Sequence, residues 1–193
     1  MPEQPTDRKI RSRQKILASA AKLFAHRGFD NVSIDELMAD AGLTRGSFYS
    51  HFKDKSTLYA KAITYGAEQS RLAQDNLRQV AGKPEALLKD YLSRDHIDLR
   101  SSPCPLAFMV NDVSHRDPVV RSTYTRVFRN MIKRISRLSS EPHKPEREKL
   151  LALTAMMIGG VAVARTLNDE KLEDELMAAC YHYGLDLLPQ ESK

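Results

Sequence analysis

Cysteine is almost absent from this chain. Cys104 and Cys180 are the only two, they lie far apart, and neither has partners at metal-ligand spacing, so the sequence offers neither a disulfide framework nor a zinc site. A reducing cytoplasm is the expected compartment. The opening stretch, MPEQPTDRKIRSRQK, is polar and lacks the apolar core of a secretory signal. The longest weakly polar run, 150–164, is interrupted by Thr154, Gly159 and Gly160 and stops at Arg165. It is too short for a comfortable membrane span and reads as a buried helix, so no membrane partner is expected. There is no alternating strand pattern, no internal repeat and no low-complexity tract. Phosphate-cradling glycine loops and nucleophile–base pairs are missing too. His96, His115, Asp95, Asp98 and Asp112 are acid–base groups without a motif to organise them, so neither an enzyme nor a cofactor is expected.

What the chain does have is enough length for a sizeable core and an uneven distribution of charge. Its 193 residues are 41% hydrophobic and 28% charged, with a net charge of +5. Residues 1–61 hold 11 Lys and Arg against 7 Asp and Glu, a surplus of +4, whereas residues 62–193 hold 19 against 18, a surplus of +1. Affinity for a polyanion therefore belongs to the first third.

Proline, glycine and aspartate divide the rest into nine expected helices, an all-α fold. The first runs from residue 6 or 7 to 26 with Ile16, Leu17, Ala20, Leu23 and Phe24 on its apolar face and Gly28 as its stop. The basic run Arg8, Lys9, Arg11, Arg13 and Lys15 precedes that face and reads as an arm along phosphates. Two short helices follow. Asp54 then caps a fourth that runs towards Val80 and is closed by Gly82. Pro84 starts a fifth, with Leu87, Leu88, Tyr91, Leu92 and Ile97 inside, which lasts until Ser101 and Ser102. Pro105 opens a short sixth, and Asp117 with Pro118 opens a seventh reaching Leu138. After the loop 139–144, the eighth spans 145–167. The ninth follows Asn168 and Asp169 with Leu172, Leu176, Ala179, Tyr183 and Leu187 on one side, and Pro189 begins a tail.

Residues 33–55, SIDELMADAGLTRGSFYSHFKDK, carry the sharpest signal. Ser33 and Glu36 fit a capping box, Ile34, Leu37, Met38 and Ala41 form one apolar face, and Gly42 ends the helix. Leu43 plugs the angle, Thr44 caps a second short helix, and Phe48 points back to the core. The other face holds Arg45, Gly46, Ser47, Tyr49 and Ser50. An Arg that reaches guanine, hydroxyls for base or phosphate, and a Gly that lets the backbone approach are what a major groove requires of a helix-turn-helix.

The stretch AGLTRGSFYSHFKDKSTLYAKAI, with LFAHRGFDNVSIDEL before it, resembles the DNA-binding region of the tetracycline-repressor (TetR/AcrR) family of bacterial transcription regulators, without a gap over about residues 12–63. The resemblance implies an N-terminal arm and three-helix DNA-binding domain over 1–53. An effector-binding and dimerisation domain would cover 54–188, its bridging helix at 54–80, before a tail at 189–193. It implies that Thr44, Arg45, Gly46 and Ser47 face bases or nearby phosphates of double-stranded operator DNA, and that Ser33, Tyr49, His51 and Lys55 grip the backbone. It also implies a homodimer through the eighth and ninth helices, whose small residues, Ala152, Ala155, Gly159, Gly160, Ala162 and Ala164, allow close contact, and hence a palindromic operator. A small-molecule effector would sit among Phe108, Met109, Tyr124, Phe128, Met131 and Met157, oriented by Asp112, His115, Arg116 or His96. The function implied is a ligand-responsive regulator, a repressor released by its effector. Cys104, at a helix start, offers an alternative: a thiolate that senses oxidants or electrophiles.

Overall fold

The computed structural model describes residues 5–78, 84–98, 103–138 and 145–188, and every regular element among them is an α-helix. The expected ends at Val80 and Gly82, the break at Ser101 and Ser102, the loop 139–144 and the tail from Pro189 lie outside the described residues. Helix α1 (Pro5–Arg27) stops at Gly28, whose φ of 75° is the left-handed conformation that glycine adopts freely. It absorbs Arg8, Lys9, Arg11, Arg13 and Lys15 into its first turns, so the basic run is a helix face and not a loose arm. Helices α2 (Ile34–Asp40) and α3 (Arg45–Phe48) complete the head. Helix α4 (Lys55–Arg78) starts where Asp54 accepts the Thr57 N–H at 2.7 Å and lies along both α1 and α9.

The expected fifth and sixth helices are each broken. Ser93 takes an extended backbone and its hydroxyl accepts the His96 N–H, which separates α5 (Pro84–Tyr91) from the single turn α6 (Arg94–Ile97). A serine that satisfies the backbone locally competes with helix continuation, and here it wins. Met109, with φ of −116°, likewise divides α7 (Pro105–Phe108) from α8 (Val110–Val113). Asp117 caps α9 (Pro118–Leu138) by accepting the Val119 and Val120 N–H groups at 2.9 and 3.1 Å. Helices α10 (Arg147–Ala164) and α11 (Glu170–Asp186) form the C-terminal hairpin.

Helix α7 sits at the centre of the packing. All four of its residues are buried, and it touches α1, α4, α9 and α10. The ninth expected helix corresponds to α11. Met177 and Gly184 are the buried residues of α11, whereas Leu172, Ala179 and Tyr183 are exposed and Leu176 and Leu187 half-buried. The apolar stripe read from the sequence is therefore exposed at Leu172, Ala179 and Tyr183, while Leu176 and Leu187 pack against this protomer's core.

Gly184 lets α11 approach: a Cβ there would meet Leu88 Cδ2 at 2.9 Å and Leu153 Cδ1 at 3.2 Å. Gly184→Val should overpack this contact and lower stability by about 1–3 kcal/mol, read as a lower midpoint in denaturant unfolding.

Candidate nucleic-acid interface

The reading head is assembled by local chemistry. At the start of α2 the Ser33 hydroxyl accepts the Glu36 N–H at 3.2 Å while the Glu36 carboxylate accepts the Ser33 N–H at 2.8 Å, a complete capping box. Those bonds and Arg27 hold the Glu36 pKa down to about 2. Gly42, at φ 66°, turns the chain, and α3 follows with Phe48 fully buried. Thr44 occupies the N-cap of α3, but its side chain makes no capping hydrogen bond, contrary to the sequence expectation. The Ser47 hydroxyl donates to the Thr44 carbonyl at 2.8 Å and caps no backbone N–H.

Thr44, Arg45, Gly46, Tyr49 and Ser50 are exposed together on the outer side of α3, and Ser47 is half-buried beside them. Arg45 Nη1 lies 2.8 Å from Asp35 Oδ2 on α2, so the guanidinium already has a carboxylate partner. A Cβ built on Gly46 would meet nothing within 4 Å. Nothing inside the protein requires a glycine at this place. The Tyr49 ring is 59% exposed and packs edge-on against Phe48, its centroid 5.1 Å away.

The residues expected to grip the DNA backbone divide. Ser33 is exposed, with its hydroxyl donating to Glu36. His51 is half-buried. Partial burial, with Lys9 and Arg13 nearby, holds its pKa below the ordinary histidine value, so its ring is neutral at pH 7. Arg13 is a residue that sequence reasoning left in the basic run. It donates to the His51 carbonyl at 3.1 Å and covers the Phe52 ring at 4.5 Å. The Lys55 ammonium sits 4.2 Å over the Phe29 ring, and burial lowers its pKa.

The contact that fixes the head to the rest of the protein was missed by sequence reasoning, which placed Asp112 beside an effector. On α8, the Asp112 carboxylate accepts the Phe29 N–H and the Tyr59 hydroxyl, both at 2.7 Å. Burial and this bond push the Tyr59 pKa up, so the phenol stays protonated and donates. Arg116 completes the latch. Its guanidinium grips Asp30 through two bonds of 3.0 and 2.8 Å, covers the Phe29 ring at 4.6 Å and lies 3.7 Å from Asp112. The Asp112–Arg116 spacing, one helical turn, was the available signal.

The other expected effector residues are dispersed. A cavity of about 680 Å³ lies between α4, α5, α7 and α9, and of the six apolar residues expected only Met131 lines it. Phe108, Met109 and Met157 are buried in the core, Phe128 packs against it, and the Tyr124 hydroxyl donates to the Leu106 carbonyl at 2.7 Å. His115 is exposed. His96 is buried, with Nδ1 2.7 Å from the Tyr91 carbonyl and Nε2 3.2 Å from the Cys104 N–H. Since the amide must donate, Nε2 accepts and Nδ1 carries the proton, and the neutral ring pins α5 to α7. Cys104 is buried as well, and burial pushes its thiol pKa up despite the helix-end donors beside it. The thiolate expectation is therefore reversed by desolvation. Among the described residues no cluster of His, Cys, Asp or Glu could hold a metal, and no helix is long and apolar enough to cross a membrane.

These features define an all-α protein with a helix-turn-helix head latched to a larger helical body. Residues 16–62 match the family described as bacterial regulatory proteins, tetR family. The HTH-type transcriptional regulator AcrR of Shigella flexneri is 36% identical over 84 residues, covering 42% of this chain and 38% of AcrR. The HTH-type transcriptional repressor AcnR of Corynebacterium glutamicum is 29% identical over 136 residues, 66% of this chain and 70% of AcnR. The chain spans about a third of the length of the first curated relatives it matches, at 31% and 38%. A tetR-family regulator from Cytophaga hutchinsonii shares the fold with a TM-score of 0.78 at 17% identity, covering 99% of this chain and 100% of that one. The reading head is thus similar in sequence to the DNA-binding region of the tetR family, and the whole chain shares the fold of solved tetR-family regulators.

Two variants probe this geometry. Asp112→Ala strips the Phe29 N–H and the Tyr59 hydroxyl of their acceptor and should cost roughly 1–3 kcal/mol in denaturant unfolding, with the exchange of the Phe29 amide accelerated. Gly46→Ala should raise stability by about 0.5–1 kcal/mol, because it removes a helix glycine and meets no neighbour.

Proposed function

We propose that this protein is a transcriptional regulator that binds a palindromic operator as a homodimer and leaves it when a small molecule binds the helical body. The observation that carries the reading is the outer side of α3. There Arg45 is exposed, and Gly46 has open space where a side chain would cost the fold nothing. A glycine that the protein's own packing does not need is accounted for by close approach of DNA. In this reading Thr44, Arg45, Gly46 and Ser47 face the groove, and Ser33, Tyr49 and His51 position the backbone. The head, 1–53, and the body, 54–188, act as the two functional units.

Dimerisation is supported by the C-terminal hairpin. Leu172, Ala179 and Tyr183 on α11 are exposed, as are Ala152, Ala155 and Val163 on α10, with Leu176 and Leu187 half-buried beside them. A second copy of the same hairpin covers these residues, and the two-fold axis sets the half-site spacing. Repression is the reading favoured by the name of AcnR, a transcriptional repressor. Effector control is supported by the latch: Asp112 and Arg116 tie the Phe29–Asp30 turn to α8, so a shift of α7 or α8 is felt by the head. An effector must bind the two arrangements with different affinity to release DNA.

The test is selection of genomic fragments by the purified protein, followed by salt-dependent binding of the enriched site. A palindromic site, weakened about tenfold or more by Gly46→Ala and by Arg45→Ala, ~1.4 kcal/mol each, is the expected result. Binding without sequence preference, equal for all three proteins, would overturn the reading. A phosphate beside His51 raises the pKa of its ring, so binding takes up a proton. Affinity should therefore rise as pH falls from about 8 towards 6, and His51→Gln should flatten that slope.

A further inference from the structure

The cavity between α4, α5, α7 and α9 has two chemically different ends. Its inner wall is formed by Tyr91, Cys104, Leu106, Val127 and Met131, all buried. Among the described residues, its outer margin carries Arg71, Lys133, Arg134 and Arg137 together with the carboxylate Glu68. Lys133, Arg134 and Arg137 belong to the basic face of α9, and α4 brings Arg71 alongside them: Arg134 Nη2 donates to the Arg71 carbonyl at 3.4 Å. The basic groups therefore border an apolar wall, and Glu68 lies with them on the margin.

The inner end holds the second observation. The Tyr91 hydroxyl, on a residue of the cavity wall, is fully buried and has no oxygen or nitrogen hydrogen-bond partner among the described residues; its polar neighbour is the Cys104 thiol, a weak hydrogen-bonding group. Leaving such a group unmet is costly, and a ligand atom that pairs with it recovers that cost.

We infer that the cavity takes an amphipathic organic carboxylate, with its carboxylate among Arg71, Lys133, Arg134 and Arg137, its apolar body on Leu106, Val127 and Met131, and a hydrogen-bonding atom at Tyr91. This rests on the reading of the body as effector-binding and names the chemistry of that effector. The volume, about 680 Å³, suits a molecule of two or three rings or an equivalent alkyl chain. Guanidinium groups favour carboxylates because their paired donors match both oxygens.

The experiment uses the full chain and a panel of aryl and medium-chain alkyl carboxylates, each with its primary amide and matching amine, and includes a hydroxylated biphenyl carboxylate with and without the hydroxyl. Thermal unfolding and release of the selected DNA site are the readouts. Acids should raise Tm and bind at least about tenfold more tightly than their amides. The double charge reversal Lys133→Glu with Arg137→Glu, at exposed positions, should abolish that preference. Tyr91→Phe should erase the advantage of the hydroxylated acid over the plain one. Amides or amines that bind as well as acids, or acid binding unchanged by the charge reversal, would overturn the carboxylate assignment while leaving effector control intact. If no compound of any charge stabilises the protein or releases DNA, both the assignment and the effector reading fall.

Discussion

The arrangement of this protein depends on one half-buried carboxylate. Asp112 stands on a single helical turn of the body, yet it supplies the acceptor for a backbone amide of the head and for a tyrosine of the connecting helix. Three elements that are distant in sequence meet at one oxygen atom. Around it, Phe24, Phe29 and Tyr59 pack with centroids 4.8 to 5.9 Å apart, and Lys55 and Arg116 lie over the Phe29 ring. The head is therefore not a separate bead on a string. Its α1–α2 turn is held in place by residues whose own position depends on α7, and α7 is in turn packed among α1, α4, α9 and α10.

Such a junction transmits displacement because its parts are short and tightly bonded. The one-turn helices α6, α7 and α8 have little rigidity of their own, and their positions are set by side-chain bonds: Ser93 to His96, His96 to Tyr91 and Cys104, Tyr124 to Leu106. Several of the residues in this network also line the cavity or adjoin it. The cavity wall and the latch that holds the head are thus joined through contiguous contacts of a few ångströms.

Much of the head was legible in the sequence because its signals are local. Ser33 with Glu36, Gly28 and Gly42 each determine structure within one turn of chain, and all three act as their residue types dictate. The long helices α1, α4, α9, α10 and α11 were legible through periodicity and end signals. What escaped was decided by contacts at long sequence separation. Nothing near Asp112 in sequence indicates that its partners are Phe29 and Tyr59, and nothing near Lys55 indicates that an aromatic ring captures its ammonium. Met109 and Ser93 interrupt helices whose apolar spacing runs on without a break, so periodicity alone overran them. For Cys104 the local pattern pointed to a reactive thiol, and only tertiary burial reversed it.

The pair formed by Arg45 and Asp35 has a consequence for how the head searches DNA. In the reading proposed above, a base edge that pairs with the guanidinium shares or exchanges the Asp35 carboxylate, which lies 2.8 Å from Nη1. The energy of that contact is then a difference between two partners. A poorly matched base fails to outbid Asp35 and leaves the ion pair closed, whereas a guanine presenting two acceptors can open it. In that reading Asp35 is an internal competitor for the guanidinium of α3, and its carboxylate weighs against poorly matched partners.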